Sequence, residues 1–185
     1  MIVTLPFPAT LADLMKVEGK AELVGGRIVE FMASGDLPST VALDIAIELR
    51  VFAKRLGRGR AYGDGIGYAI EPPLISDRQS FSPDASFHAG PFPVDGMAFI
   101  DGSPTFAVEV RSENDYGRSA ESAMEDKRAD YFEACTLAVW DVDPVAKTIA
   151  LHTPSTETIF RIGDTAHAEP ALPGWTLDVT ALFAG

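Results

Sequence analysis

Asp84, in Phe81-Ser82-Pro83-Asp84, is followed 25 residues later by Glu109, in Phe106-Ala107-Val108-Glu109-Val110-Arg111. Glu109 interrupts an apolar, β-branched run, where an unpaired charge carries a large free-energy cost or a large pKa shift. A basic partner, a metal ion or water in a cleft must compensate it. Side chains alternate between the two faces of a strand. Phe106, Val108 and Val110 therefore share one face, and Ala107, Glu109 and Arg111 share the other. A Pro-Asp at one strand and a Glu-x-basic at another form the skeleton of a divalent-metal hydrolase. The carboxylates supply hard oxygen ligands for Mg²⁺ or Mn²⁺. The basic residue two positions on can orient water or hold a phosphate.

These residues need elements to position them. Thr10 to Glu18 reads as a short helix with Thr10 as N-cap, and Ala21 to Phe31 as a hairpin turning at Gly25-Gly26. Ser39 to Leu56, opened by Pro38 and stopped by Gly57, carries Val41, Ile45, Leu49 and Phe52 at helical spacing. Arg60 to Ile70 and Phe81 to Phe87 read as strands, and residues 88–103 as a Gly- and Pro-containing loop. Thr105 to Arg111 reads as a central strand, Arg118 to Cys135 as a helix and Leu137 to Val142 as a second buried strand. Strands at 148–152 and 158–162 follow, and the tail from Leu172 to Phe183 packs back on the body. A strand–helix–strand unit after antiparallel strands gives an α/β architecture with a mixed sheet.

The 185 residues suit one domain with a real core, read as spanning residues 1–185. No apolar stretch is long enough for a membrane span. The first residues show no secretory signal, and the single Cys135 fits a reducing cytoplasm. A net charge of −12 is awkward for a nucleic-acid protein, since affinity for phosphate comes largely from Lys and Arg. One run departs from that balance: Arg50, Lys54, Arg55, Arg58 and Arg60, with no acid among residues 49–60. It reads either as a solvated helix end or as a phosphate-contacting patch. His88, His152 and His167 are scattered and lack metal-ligand spacing.

Six segments in order carry a resemblance. They are Glu22-Leu23-Val24-Gly25-Gly26-Arg27, Ser82-Pro83-Asp84, Val108-Glu109-Val110-Arg111-Ser112, Lys127 followed by Tyr131, Val139-Trp140-Asp141-Val142-Asp143-Pro144, and Leu172-Pro173-Gly174-Trp175. Together they resemble the Uma-type endonuclease family of the PD-(D/E)XK nuclease superfamily. The resemblance implies a restriction-endonuclease-like fold, a mixed β-sheet flanked by helices. It also implies a Mg²⁺ or Mn²⁺ site and hydrolysis of nucleic-acid phosphodiester bonds, DNA first. Asp84 and Glu109 would be the metal ligands, with the carbonyl of Val110 as a third. Two features depart from the pattern. Arg111 stands where the superfamily has a lysine, and Pro38-Ser39-Thr40 holds no histidine at the start of the second helix.

Arginine is almost never deprotonated, so Arg111 cannot act as a general base, although it can hold phosphate. On the helix after Glu109, Ala120, Met124, Lys127, Tyr131 and Ala134 fall on one face directed inward. Lys127 then either snorkels outward or reaches the Glu109 cleft and fills the role of the absent strand lysine. The catalytic set is thus Asp84, Glu109, Arg111 and Lys127. The alternative reading is a binding or regulatory module that keeps the nuclease fold without turnover. A homodimer is expected, with contacts from the 88–103 loop or the helix of residues 39–56.

Overall fold

A strand buried on both faces reads as a near-continuous apolar run, and Phe106–Val110 and Ala138–Asp143 do so apart from the acids they carry. In the computed structural model, which describes residues 7–184, these two strands pair in parallel within a mixed sheet. Residues 1–6, on which the reading of no secretory signal fell, lie outside the described residues.

Thr10 caps a short helix, α1 (Leu11–Leu14), which ends sooner than the sequence suggested. The Asp13 N–H donates to the Thr10 hydroxyl oxygen, and the Asp13 carboxylate accepts the Thr10 N–H, closing a capping box. Strands β1 (Ala21–Val24) and β2 (Arg27–Glu30) form the expected hairpin. Gly25 and Gly26, at φ 58° and 66°, supply the left-handed pair that a two-residue turn of this kind requires. Helix α2 (Asp36–Leu56) starts one turn before Ser39, because a proline in the first turn removes no internal helical bond. Gly57 ends it as expected, donating its N–H to the Ala53 carbonyl.

Two expected strands each break in two. Residues 60–70 divide into β3 (Arg60–Gly63) and β4 (Tyr68–Ala69). A Cβ on Gly67 would meet the Phe99 ring at 2.4 Å, so the chain passes there only as glycine. Residues 81–87 divide into β5 (Ser80–Phe81) and β6 (Ala85–His88), since Pro83 has no N–H for a ladder. The 88–103 loop carries a short strand, β7 (Ile100–Asp101). Then follow β8 (Phe106–Val110), α3 (Arg118–Glu133), β9 (Ala138–Asp143), β10 (Thr148–His152) and β11 (Glu157–Phe160). Strands β12 (Thr165–His167) and β13 (Thr176–Asp178) and helix α4 (Val179–Leu182) complete the described chain.

The main sheet runs β11-β10-β9-β8-β6-β3, with only β8 and β9 parallel and α3 as their crossover. Alternation along β8 and β9 sorts two cores. Phe106, Val108, Val110, Trp140 and Val142 face α2 and the C-terminal tail. Ala107 and Val139 face Tyr131 of α3 and the small β5-β4-β7 sheet. The mixed sheet flanked by helices is the α/β architecture read from sequence. No described helix is long and apolar enough to cross a membrane.

The tail packs back through Trp175, whose ring centroid lies 5.0 Å from that of Trp140 and 5.9 Å from that of Phe106. All three side chains are buried. Trp175→Ala should therefore destabilise the fold by about 3–5 kcal/mol. Urea unfolding checks this, and a loss below about 1 kcal/mol would mean that the tail is not part of the core.

Candidate active site

The spacing between Asp84 and Glu109 is closed by the sheet. Asp84 immediately precedes β6, which pairs with β8 in the register Ala85↔Val108. The Asp84 N–H donates to the Val108 carbonyl at 3.1 Å, and Asp84 Oδ2 accepts the Val110 N–H at 2.7 Å. One carboxylate is thereby pinned to the backbone beside the residue that carries the other. Glu109 points to the α3 face, opposite Val108 and Val110, as the alternation of the strand requires. Asp84, Glu109, Val110, Arg111 and Lys127 all line one cleft of about 1250 Å³.

Lys127 reaches the floor of that cleft from α3. Its ammonium lies 2.9 Å from Glu109 Oε1 and 2.9 Å from Glu22 Oε1. Tyr131, one turn on, donates its hydroxyl to Glu109 Oε1 at 2.6 Å. The helix face thus points inward as its spacing implies, but only Tyr131 on it is fully buried, because α3 overhangs the cleft instead of packing flush.

Five further charged residues surround this pair. Glu22, only 2 % exposed, accepts from Arg78 Nη1 at 2.5 Å and from the Ser82 N–H at 2.9 Å. Arg78 also holds Asp130 through Nε at 2.7 Å. Lys20 bridges Asp84 Oδ1 at 2.5 Å and the exposed Asp64 at 2.8 Å. Sequence reasoning did not place Lys20, Glu22 or Arg78 in the site. Glu22 carried a usable signal, an acid inside the apolar strand Ala21-Glu22-Leu23-Val24, which is the same signal that marked Glu109. Lys20 and Arg78 carried none, since each sits in a polar connection.

Burial alone would lift both glutamate pKa values. Lys127, Arg78 and the Ser82 N–H overcome it at Glu22, which is held below the ordinary carboxylate value. At Glu109 burial prevails despite Lys127, and the neighbouring Asp84 and Glu22 charges add to it, so its pKa is raised. Burial would lower the lysine pKa values, but Glu109 and Glu22 hold Lys127 above the ordinary value, and Asp84 and Glu109 do the same for Lys20. Both amines are ammonium ions at neutral pH.

Arg111 is engaged elsewhere. Its guanidinium makes two bonds of 2.8 Å to Asp141 and further bonds to Glu121 at 2.5 and 3.1 Å. These pairings raise its pKa further and tie β8 to β9 and to the first turn of α3. The basic run does not reach the cleft either. Arg50, Lys54, Arg55, Arg58 and Arg60 are exposed and none lines it; Arg60 stacks 4.1 Å over Phe92. Among the described residues no three His, Cys, Asp or Glu side chains are grouped to hold a metal ion. The Asp84–Glu109 pair is instead met by lysine ammonium groups, and the histidines stay apart.

The family model "Uma2: Putative restriction endonuclease" matches residues 9–180. The chain is also similar to a solved structure from Anabaena variabilis ATCC 29413, described as a putative nuclease belonging to DUF820. The two share 18 % identity over 96 % of this chain and 98 % of that one, with a TM-score of 0.76, which shows a common fold. No curated protein matches this sequence.

The opposed shifts at the two glutamates predict opposed pH behaviour in chelator-treated protein. Ionised Glu22 stabilises the fold above the unfolded carboxylate value, and that stability is lost as pH falls through its lowered folded value. Ionised Glu109 opposes folding, and the opposition is relieved as pH falls through its raised folded value. At pH 7, Glu22→Gln should cost about 3–5 kcal/mol, since it strips a buried charge pair, and Glu109→Gln clearly less. The Glu22→Gln deficit should shrink at acid pH. Equal losses, or a deficit independent of pH, in urea unfolding would contradict this assignment.

Proposed function

The chain belongs to the Uma2 family, and on that premise we propose that its cleft is the active site of a divalent-metal-dependent endonuclease that hydrolyses nucleic-acid phosphodiester bonds, DNA first. The observation that carries the proposal is the convergence of Asp84, Glu109 and the Lys127 ammonium on one cleft floor.

The donor set suits a hard cation. Two neighbouring ion-pair clusters, Asp64–Lys20–Asp84 and Glu109–Lys127–Glu22–Arg78–Asp130, together hold five carboxylates against three cations, an excess of two negative charges when all are ionised. The Lys127 and Tyr131 contacts at Glu109 both use Oε1, and Oε2 accepts no hydrogen bond from the described residues. Asp84 and Glu109 would hold Mg²⁺ or Mn²⁺, with the carbonyl of Val110 as the third donor that the family resemblance implies. When bound, such an ion lowers the pKa of a coordinated water and polarises the phosphate.

The chain's own residues do the rest. Asp84 stays oriented by the Val110 N–H. Tyr131 fixes one oxygen of Glu109 and leaves the other toward the cleft. Lys127, held cationic, cannot accept a proton; it offsets charge developing on the phosphate. Arg111, occupied by Asp141 and Glu121, acts by positioning β8 against α3. In this proposal Lys127 fills the role of the missing strand lysine.

One observation favours a second reading, a nuclease-fold binding or regulatory module without turnover. Lys20 and Lys127 already pair with Asp84 and Glu109, so each of the two carboxylates has a cationic partner without a metal.

The experiments separate the two. Mn²⁺ should raise the melting temperature of the wild type, and Asp84→Asn or Glu109→Gln should abolish that rise. Lys127→Met should keep the rise and lower turnover by about 10²–10³-fold. A wild type indifferent to Mn²⁺ would favour the inactive module. The dimer belongs to the same proposal, and two candidate surfaces are exposed: Leu43, Ile47 and Val51 on α2, and Val94 and Met97 in the 88–103 loop. Sedimentation at micromolar concentration should give twice 19.8 kDa, and one of Ile47→Glu or Met97→Glu should halve it. A wild-type species at the single mass would exclude the dimer.

A further inference from the structure

The cleft has a wall that the hydrolytic chemistry leaves unused. Phe31 stands at its mouth, 40 % exposed, immediately after β2. Its place is fixed by the backbone, since the Phe31 N–H donates to the Lys20 carbonyl at 2.9 Å. The ring centroid lies 5.7 Å from the Lys20 ammonium and 5.5 Å from that of Lys127. Val29, Met32 and Leu43, all exposed, continue the same wall. An apolar shelf therefore borders the Lys20 ammonium and that of Lys127, which offsets charge on the phosphate in the proposed function, on which this inference rests.

The charges narrow what the shelf can take. The carboxylates lie deep: Glu22 is 2 % exposed and the Glu109 side chain 22 %. A phosphate must descend to reach them, which a flexible strand does more readily than a rigid duplex. The chain carries −12, and its exposed run of basic residues does not line the cleft. Recognition of a duplex backbone rests on many phosphate contacts, and the cations inside this cleft are already paired with acids. Single strands offer a second source of affinity, the stacking of unpaired bases on aromatic side chains. An exposed ring beside two ammonium groups presents both halves of that recognition, a face for the base and cations for its phosphate.

We propose that Phe31 is a base-stacking platform and that the substrate is single-stranded or locally unpaired nucleic acid, with the nucleobase next to the scissile phosphate lying on the Phe31 ring. The shelf residues Val29, Met32 and Leu43 enclose the base without reading its edge, so stacking confers little sequence preference.

The test is fluorescence anisotropy of the full chain, in chelator to prevent turnover, with a labelled thymidine strand of about ten nucleotides, within the range of single-strand site sizes. The comparison probes are a duplex of equal length and a strand of equal length whose bases are replaced by abasic sites. The thymidine strand should bind more tightly than either. Phe31→Ala should weaken it by about 5–150-fold, the fold-change equivalent of losing one stacked base, and leave the abasic strand unchanged. Phe31→Trp should restore the affinity. Equal or tighter binding of the duplex, or equal weakening of all probes by Phe31→Ala, would overturn the platform while leaving the nuclease reading intact. Failure of every probe to bind, in chelator and with Mn²⁺ alike, would overturn both. An intact thermal unfolding transition in Phe31→Ala establishes that the loss is not one of folding.

Discussion

One ammonium group holds the site together. Lys127 stands at 2.9 Å from carboxylates of both Glu22 and Glu109, and it is the one cation that the two acids share. Glu22 sits in the β1–β2 hairpin, Glu109 in the main sheet and Lys127 in the crossover helix. A buried pair that loses one partner leaves an uncompensated charge in low dielectric. The three elements are therefore coupled: hairpin, sheet and helix can dock only in the arrangement that brings these groups together. Arg78 extends the coupling by joining Glu22 to Asp130 on α3. The hydrophobic clusters alone would permit the helix to slide or rotate by a fraction of a turn, and these bonds do not.

The two basic residues after Glu109 divide the labour according to their chemistry. A guanidinium has a planar fork that matches carboxylates and stays charged. Arg111, two residues after Glu109 and on the same face, meets Asp141, which the parallel register places beside Glu109. That bidentate contact, with Glu121 on the far side, fastens the start of α3 to the sheet. A lysine at this position would lack the fork and release the helix end. The flexible stem of Lys127 then delivers a compact charge from the helix side of the cleft. In the proposed function Lys127 takes the place of the lysine that the superfamily pattern has where this chain carries Arg111.

Much of this was legible in the sequence, and the exceptions have physical causes. Glu109 stood out because charge in an apolar strand demands a partner, Asp84 through its Pro-Asp taken together with that Glu, and the spacing of Lys127 and Tyr131 gave the inward face of α3. The mixed sheet followed from the order of apolar runs. The broken strands at 60–70 and 81–87 were not legible as such. The break at 60–70 depends on Gly67 meeting Phe99, a tertiary contact, whereas the break at 81–87 follows from the missing N–H of Pro83, which the apolar pattern of the run concealed. Glu22 was visible only as part of a flanking motif, although its setting repeats that of Glu109. Lys20 and Arg78 could not have been found, because their role comes from partners 44 or more residues distant in the chain. The basic run at 50–60 suggested a phosphate contact, and the path of α2 takes it away from the cleft.

The remaining question is how so acidic a chain would accept a polyanion. The cations in the cleft, Lys20, Arg78, Arg111, Lys127 and Arg128, are all paired with carboxylates. A phosphate arriving alone must compete with those acids for the lysines, at the cost of leaving carboxylates unpaired. A divalent cation arriving alone must compete with the lysines for Asp84 and Glu109. Arriving together, each resolves the other's cost: the cation takes the carboxylates, and the freed ammonium groups turn to the phosphate. Binding of one then raises the affinity for the other by the same factor, as linkage demands. In the proposed function the lysine-paired network is thus the resting arrangement of the site, and metal and substrate each bind more weakly alone than together.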